Sequence, residues 1–299
     1  MYKPSVKLLS YQQYRSVVRK HLIPVLGHIS LQKLTAEKIQ ALYTRRLNEG
    51  LASRTIVLIH AVLHRALENA VKWGLVPRNV ANLVTLPRVE RYEAQTLTAE
   101  QVVKLLETAQ ESRIEALLIM AVTTGMRRGE LLALHWDDVD FEKGVVYVRR
   151  TVNRINGYGM RETEPKTKSS RRRIVLPGIA LGALKEHRFQ QDQIRAKAGG
   201  KWREQGIVFS NRYGGFLMPE RVGRMFHKLL VDADLPDMRF HDLRHSAATI
   251  LLVAGIHPKV VQERLGHSTI AMTMDIYSHV LPSMQQEVAD KIDKMFGHS

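Results

Sequence analysis

Four clusters between positions 124 and 277 hold the side chains with the most chemical potential. They are Thr124-Gly125-Met126-Arg127-Arg128-Gly129-Glu130, Lys166-Thr167-Lys168, His241-Asp242-Leu243-Arg244-His245, and Leu265-Gly266-His267 followed by Tyr277. Taken one at a time each is commonplace: a surface arginine at a helix start, solvated loop lysines, a same-face His/Arg pair, a packing tyrosine. Taken together they supply the parts of phosphodiester transfer without a metal. The reacting phosphate gains negative charge in its five-coordinate state, and fixed guanidiniums can hold its equatorial oxygens bidentately, a role for Arg127 and Arg244. His241 stands one helical turn before Arg244, so both can reach one phosphate. A tyrosine hydroxyl, with a free pKa of about 10, must share its proton to attack, and His267 and His241 can take it. The leaving oxygen needs a proton from a general acid, for which Lys166 is the candidate.

These residues need scaffolding, and the hydrophobic pattern supplies it. Tyr11 to Leu26, Thr35 to Asn48 and Ser53 to Trp73 carry apolar residues at helical spacing, separated by Gly27, Gly50 and Gly74, which predicts a small helical domain. Pro77 to Ala94 holds two prolines and two asparagines with no sustained period and reads as connecting structure and linker. Thr98-Ala-Glu-Gln101 is a capping-box pattern opening a helix through Ala109, and Ile114 to Thr123 is a buried helix by composition, ended by Gly125. Val145 to Arg150 and Arg172 to Leu176 are β-branched runs that predict strands, with a third around Met160 to Thr163. Helical patterns dominate from Ile179 onward, broken by Gly214-Gly215 and Gly255. The resulting division is 1–86, a helical domain; 87–96, a linker; and 97–299, a second domain closed by a helix over 283–297.

Charge sharpens this division. The chain of 299 residues has 45 Lys and Arg against 29 Asp and Glu, a formal net charge of +16. Residues 1–96 hold 15 of the cations and 5 of the carboxylates. A polyanionic partner follows from that excess, nucleic acid or an acidic membrane surface. No run approaches the roughly 18 apolar residues needed to span a bilayer, and Met1 to Ser10 lacks the order of a secretory signal, so a cytoplasmic protein is expected. Zero cysteines exclude disulfides and thiolate metal ligands. No carboxylate cluster suggests a magnesium site, and neither metal nor cofactor is expected.

In order and separation the four clusters resemble those of the tyrosine recombinases, the phage-integrase family, from about Tyr11 to about Ser299. The family's Thr-Gly-x-Arg-x-x-Glu segment corresponds to Thr124–Glu130, which makes Arg127 rather than Arg128 the catalytic arginine and Glu130 its support. Its His-x-x-Arg box falls on His241 and Arg244, and its Leu-Gly-His and tyrosine on Leu265-Gly266-His267 and Tyr277. The β-hairpin lysine falls at Pro165-Lys166-Thr167-Lys168, where looser spacing leaves Lys168 as the second choice. The resemblance implies a mainly α protein with a small antiparallel sheet in its catalytic domain. Its two domains would form a C-shaped clamp on double-stranded DNA at core-type recombination sites.

Further expectations follow from the resemblance. Tyr277 would form a 3′-phosphotyrosine and expel a 5′-hydroxyl, which another strand's hydroxyl reverses without ATP. Joining two duplexes implies four protomers. The tail residues Val288, Ile292, Met295 and Phe296 make one apolar helical stripe, which either packs on its own catalytic domain or, as often in the family, docks on a neighbouring protomer. Many relatives of this style carry a further N-terminal domain for arm-type sites, and this chain begins almost at the core-binding segment. A type IB topoisomerase, which relaxes DNA as a monomer, and a non-catalytic DNA-binding regulator are the alternative readings.

Overall fold

The computed structural model describes residues 8–90, 92, 94–155, 157–164, 170–276, 293 and 295–296. The chain divides into two compact units, Met1–Glu93 and Ala94–Ser299.

The first unit is helical. Helices α1 (Leu8–Val17), α2 (Ile23–Leu26), α3 (Ala36–Asn48) and α4 (Ser53–Lys72) close a core around Ile39, Leu42, Tyr43, Ile56 and Ile59. The period over Tyr11 to Leu26 predicts one helix, but α1 and α2 are joined by a π-helical turn, Val18–Leu22. Pro24 explains the widening: it has no N–H to give the Lys20 carbonyl four residues back, and Arg46 donates to that oxygen instead, at 3.3 Å. Within the segment read as a linker, Val80–Leu83 forms a 3-10 turn capped by Asn79, whose amide also reaches Glu68 at 2.7 Å, and Ala81 is buried in the first core.

The second unit is built on α6 (Glu115–Thr124), which is apolar on all sides and lies inside the larger core. Before it, α5 (Ala99–Thr108) begins with the expected capping box, Thr98 and Gln101 each accepting from the other's backbone N–H. After it come α7 (Arg128–Leu131) and, among the described residues, five strands: β1 (Val139–Asp140), β2 (Val145–Val148), β3 (Thr151–Ile155), β4 (Gly159–Thr163) and β5 (Arg172–Val175). They form two antiparallel sheets, ordered β1-β2-β5 and β3-β4. The expected strands are β2, β4 and β5. β3 is additional: it pairs residue for residue with β4, from Thr151 opposite Thr163 to Ile155 opposite Gly159, and stays outside the first sheet. The register of β2 with β5 sets Val148 opposite Arg172 and turns Ile174 into the core.

Helices α8 (Gly178–Ala198), α9 (Pro219–Asp232), α10 (Asp242–Val253) and α11 (Pro258–Leu265) complete the unit. Ala248, Leu252, Val261 and Leu265 pack α10 on α11, and Ile276 joins that cluster. Of the tail stripe, Val288 and Ile292 lie outside the described residues, while Met295 and Phe296 are helical and exposed. Among the described residues, no helix is long and apolar enough to cross a membrane.

Candidate active site

The site begins where α6 stops. Gly125 takes a left-handed backbone, φ 61°, and a Cβ at that position would collide with the Leu265 side chain. Glycine is therefore required twice, for the turn and for the close approach of α11. The turn throws Arg127 out at the start of α7. Gly129 is also confined, since a Cβ there would lie 2.7 Å from the Thr151 hydroxyl of β3. The segment Gly125–Glu130 is thus held from two sides.

Arg127 is fixed by three hydrogen bonds. Its Nη1 donates to Glu130 Oε1 at 2.8 Å, its Nη2 to the Gly266 carbonyl at 3.0 Å, and its backbone N–H to Glu130 Oε2 at 3.0 Å. Glu130 is nearly inaccessible, with 2% of its side chain exposed, while a third of the Arg127 side chain reaches solvent. Burial works to raise the Glu130 carboxyl, and Arg172, then Arg127, outweigh it, so Glu130 stays ionised below the usual carboxylate range.

Arg244, on the first turn of α10, is 4% exposed and donates from Nη1 to the Gly125 carbonyl at 2.7 Å. Its Nη2 is buried and has no partner among the described residues. Burial first, and Arg127 second, bring its pKa down to about 9. A buried donor without an acceptor costs free energy, and an anionic oxygen would recover it.

Both histidines are neutral at neutral pH. His241 caps α10, with its ring 6.0 Å from that of His245; loss of surrounding water, then Arg244 and His245, hold it at about 4. His267 follows the left-handed Gly266 at the end of α11 and is 5% exposed. Its Nδ1 shares a 2.9 Å hydrogen bond with the Thr273 hydroxyl. Burial, then Arg244 and Arg127, push it to about 3.

Arg127, Glu130, His241, Arg244 and His267, separated by up to 140 residues in sequence, therefore share one cationic cluster. Lys166, Lys168 and Tyr277 lie outside the described residues. Their chain neighbours are placed: Glu164 and Ser170 flank the lysine segment between β4 and β5, and Ile276 packs on the α10–α11 cluster.

Two further arginines belong to the cluster and have no counterpart among the residues picked out by motif. Arg172 of β5, with 7% of its side chain exposed, donates to Glu130 Oε2 at 3.0 Å and to the Arg264 carbonyl at 2.7 Å. Arg264 of α11 donates to the Thr123 carbonyl at 2.8 Å and the Val175 carbonyl at 3.2 Å, tying α11 to α6 and β5. A buried excess of guanidinium over carboxylate selects for an anion. Beside β5 an open cleft of about 640 Å³, lined by Arg149, Arg150 and Arg171 along with Glu162 and Glu164, extends the basic surface. Among the described residues, no group of three or more His, Asp or Glu side chains is placed to hold a metal ion.

Residues 95–284 match the phage integrase family, and residues 1–47 match the N-terminal SAM-like domain of phage integrases. A tyrosine recombinase XerC-like protein of Caldanaerobacter subterraneus subsp. tengcongensis is 30% identical over 98% of this chain and 79% of its own length. The ICEBs1 integrase of Bacillus subtilis is 27% identical over 95% of this chain and 77% of its own. Among solved structures, the Tn1549 transposon integrase in complex with transposon right end DNA superposes with a TM-score of 0.80 at 22% identity, covering 96% of both chains. A lambda integrase tetramer bound to a Holliday junction gives 0.65 at 22% identity, covering 92% of this chain and 73% of that one.

Proposed function

This chain belongs to the phage integrase family of tyrosine recombinases, enzymes of DNA cleavage and strand transfer, and on that premise we propose which residues do the chemistry. Tyr277 attacks the scissile phosphate. A bond forms from its phenolic oxygen to phosphorus, the bond to the 5′-oxygen breaks, and the DNA is left joined to the protein through a 3′-phosphotyrosine. Arg127 and Arg244 hold the non-bridging oxygens as charge grows on them. The single tyrosine proton passes to one neutral imidazole, that of His267 or His241, and Lys166, with Lys168 as second choice, protonates the departing 5′-oxygen. A 5′-hydroxyl from another strand reverses the step, and since the ester energy is kept in the protein link, neither ATP nor a metal is needed.

The observation that carries this reading is the Nη2 of Arg244, buried with no partner among the described residues, beside an Arg127 already locked by Glu130. The donors stand in place before the substrate arrives, so little reorganisation is left for the reaction itself.

Residues 1–86 serve as the core-type DNA-binding domain and 97–299 as the catalytic domain, a division supported by the charge excess of the first segment. On paired sites the protein works as four protomers on two duplexes in the cytoplasm, with the 283–297 segment docking on a neighbour. The exposed Met295 and Phe296, and the exposed apolar side chains Val253, Ile256 and Val260 around the α10–α11 corner, support such an exchange.

The test is cleavage of a nicked suicide substrate, read on a denaturing gel. Tyr277→Phe removes only the attacking oxygen, so it is expected to bind DNA normally and form no covalent adduct. An adduct surviving in that variant would move the nucleophile elsewhere.

A further inference from the structure

We propose that Arg172 is a positioning residue for Arg127, acting through Glu130; the inference rests on the reading that Arg127 holds the scissile phosphate. Glu130 offers two oxygens. Oε1 takes the Arg127 guanidinium at 2.8 Å, and Oε2 takes both the Arg127 backbone N–H and Arg172 Nη2, each at 3.0 Å. Arg127 and Arg172 thus share one carboxylate that is almost wholly buried.

The remaining donors of Arg172 close a loop. Nε reaches the Arg264 carbonyl at 2.7 Å and Nη1 the Ser170 carbonyl at 3.1 Å. Two residues beyond Arg264, the Gly266 carbonyl accepts from Arg127 at 3.0 Å. The circuit runs from Arg127 to Glu130, Arg172, the backbone 264–266, and back to Arg127. It joins α7, β5 and the turn that presents His267. A planar fork with donors on three nitrogens can serve three acceptors on three elements at once, whereas a lysine has one nitrogen to aim.

Charge completes the argument. With Arg172 in place Glu130 has two cationic partners and stays ionised although burial opposes it. Without Arg172 the burial penalty remains and the stronger of the two compensating charges is gone, so the carboxyl pKa must rise. Once Glu130 takes a proton it no longer holds the Arg127 guanidinium as a charged pair, and Arg127 loses its fixed aim.

The test is single-turnover cleavage of the suicide substrate at saturating DNA, measured for Arg172→Lys, Arg172→Gln and Arg127→Ala together with folded fraction and DNA affinity. Arg172→Lys keeps a charge and is expected to fold, to bind DNA within about threefold of the parent, and to cut about 10-fold or more slowly, as misplacing a catalytic group does. Arg172→Gln is expected to move the acid limb of the cleavage rate to higher pH than the parent's, because Glu130 takes its proton more readily. Parental cleavage by Arg172→Lys, or a loss that only follows the loss of folded protein, would overturn the proposal. So would a parental pH profile for Arg172→Gln. Arg127→Ala separates the two readings: if it cuts normally the role given to Arg127 is wrong, and if it fails while both Arg172 variants cut normally only the present inference falls.

Discussion

The two units of this protein bury different kinds of residue. In the first, the fully buried residues among those described are apolar save for Asn79, which caps a turn, and Tyr43, whose hydroxyl bonds His60; the half-buried His21 and Arg46 each keep one nitrogen out of solvent. In the second, Glu130, Asp138, Asp242, Arg244 and His267 are all buried. A domain that had only to fold would gain little from the ionised members of this set, because taking an ion out of water often costs more than one pairing returns. The first unit carries an excess of positive charge, and on the proposed reading the second keeps Glu130 and Arg244 buried to meet a phosphate.

The largest expected effect that would sharpen this contrast is on the second unit. Arg127→Ala should slow cleavage by about 10²–10³-fold, the scale seen when one preorganised donor to a developing charge is removed, while site binding weakens far less. The parent should retain its rate in excess EDTA. Loss of cleavage on chelation, restored by magnesium, would mean that a metal does what the arginines are given to do. Next, Ile59→Ala in the first core should lower stability by about 2–5 kcal/mol, as emptying a fully buried aliphatic site does, yet leave cleavage of saturated, folded complexes within about twofold of the parent. An equal loss of chemistry would break the division of labour.

The smallest effect comes from pH. Unfolded histidine titrates near 6.5, whereas His267 does so at about 3 and His241 at about 4 when folded. Between those values the unfolded chain binds more protons, so the stability contributed by keeping these rings neutral is complete above pH 6.5. It is lost progressively as pH falls toward the folded values. Melting temperature should drop below pH 6.5, and His267→Gln, which cannot take the proton, should decline less steeply, by about a few degrees at pH 5. Identical slopes would show that His267 is not held neutral.

Much of the second unit was legible in the chain itself. The capping box at Thr98, the glycine stop at Gly125, and the gathering of Arg127, Glu130, His241, Arg244 and His267 all rest on local chemistry or on fixed spacing, which sequence carries. The strand β3 was less visible because its middle, Asn153-Arg154, interrupts the β-branched run, and its partner β4 supplies the pairing. The π-helical turn before Pro24 depends on Arg46, 26 residues further on. Arg172 reads in sequence only as the first residue of a strand amid three consecutive arginines, Arg171 to Arg173. Its importance lies in partners 42 and 92 residues away, and one of them is a backbone carbonyl that no motif records.

The central claim is that the buried guanidinium of Arg244 is kept for chemistry rather than for stability, and Arg244→Met tests it most directly. Methionine fills similar volume and needs no hydrogen bonds, so it relieves an Nη2 with no partner among the described residues while it takes the Nη1 donor from the Gly125 carbonyl, two changes that largely offset. Melting temperature and single-turnover cleavage of the suicide substrate should be measured on the same preparation. The account predicts a melting temperature within about a few degrees of the parent's, with cleavage slower by at least about 10²-fold. A variant that melts well below the parent while its folded fraction still cuts at the parental rate would show that Arg244 serves the fold, and would contradict the account.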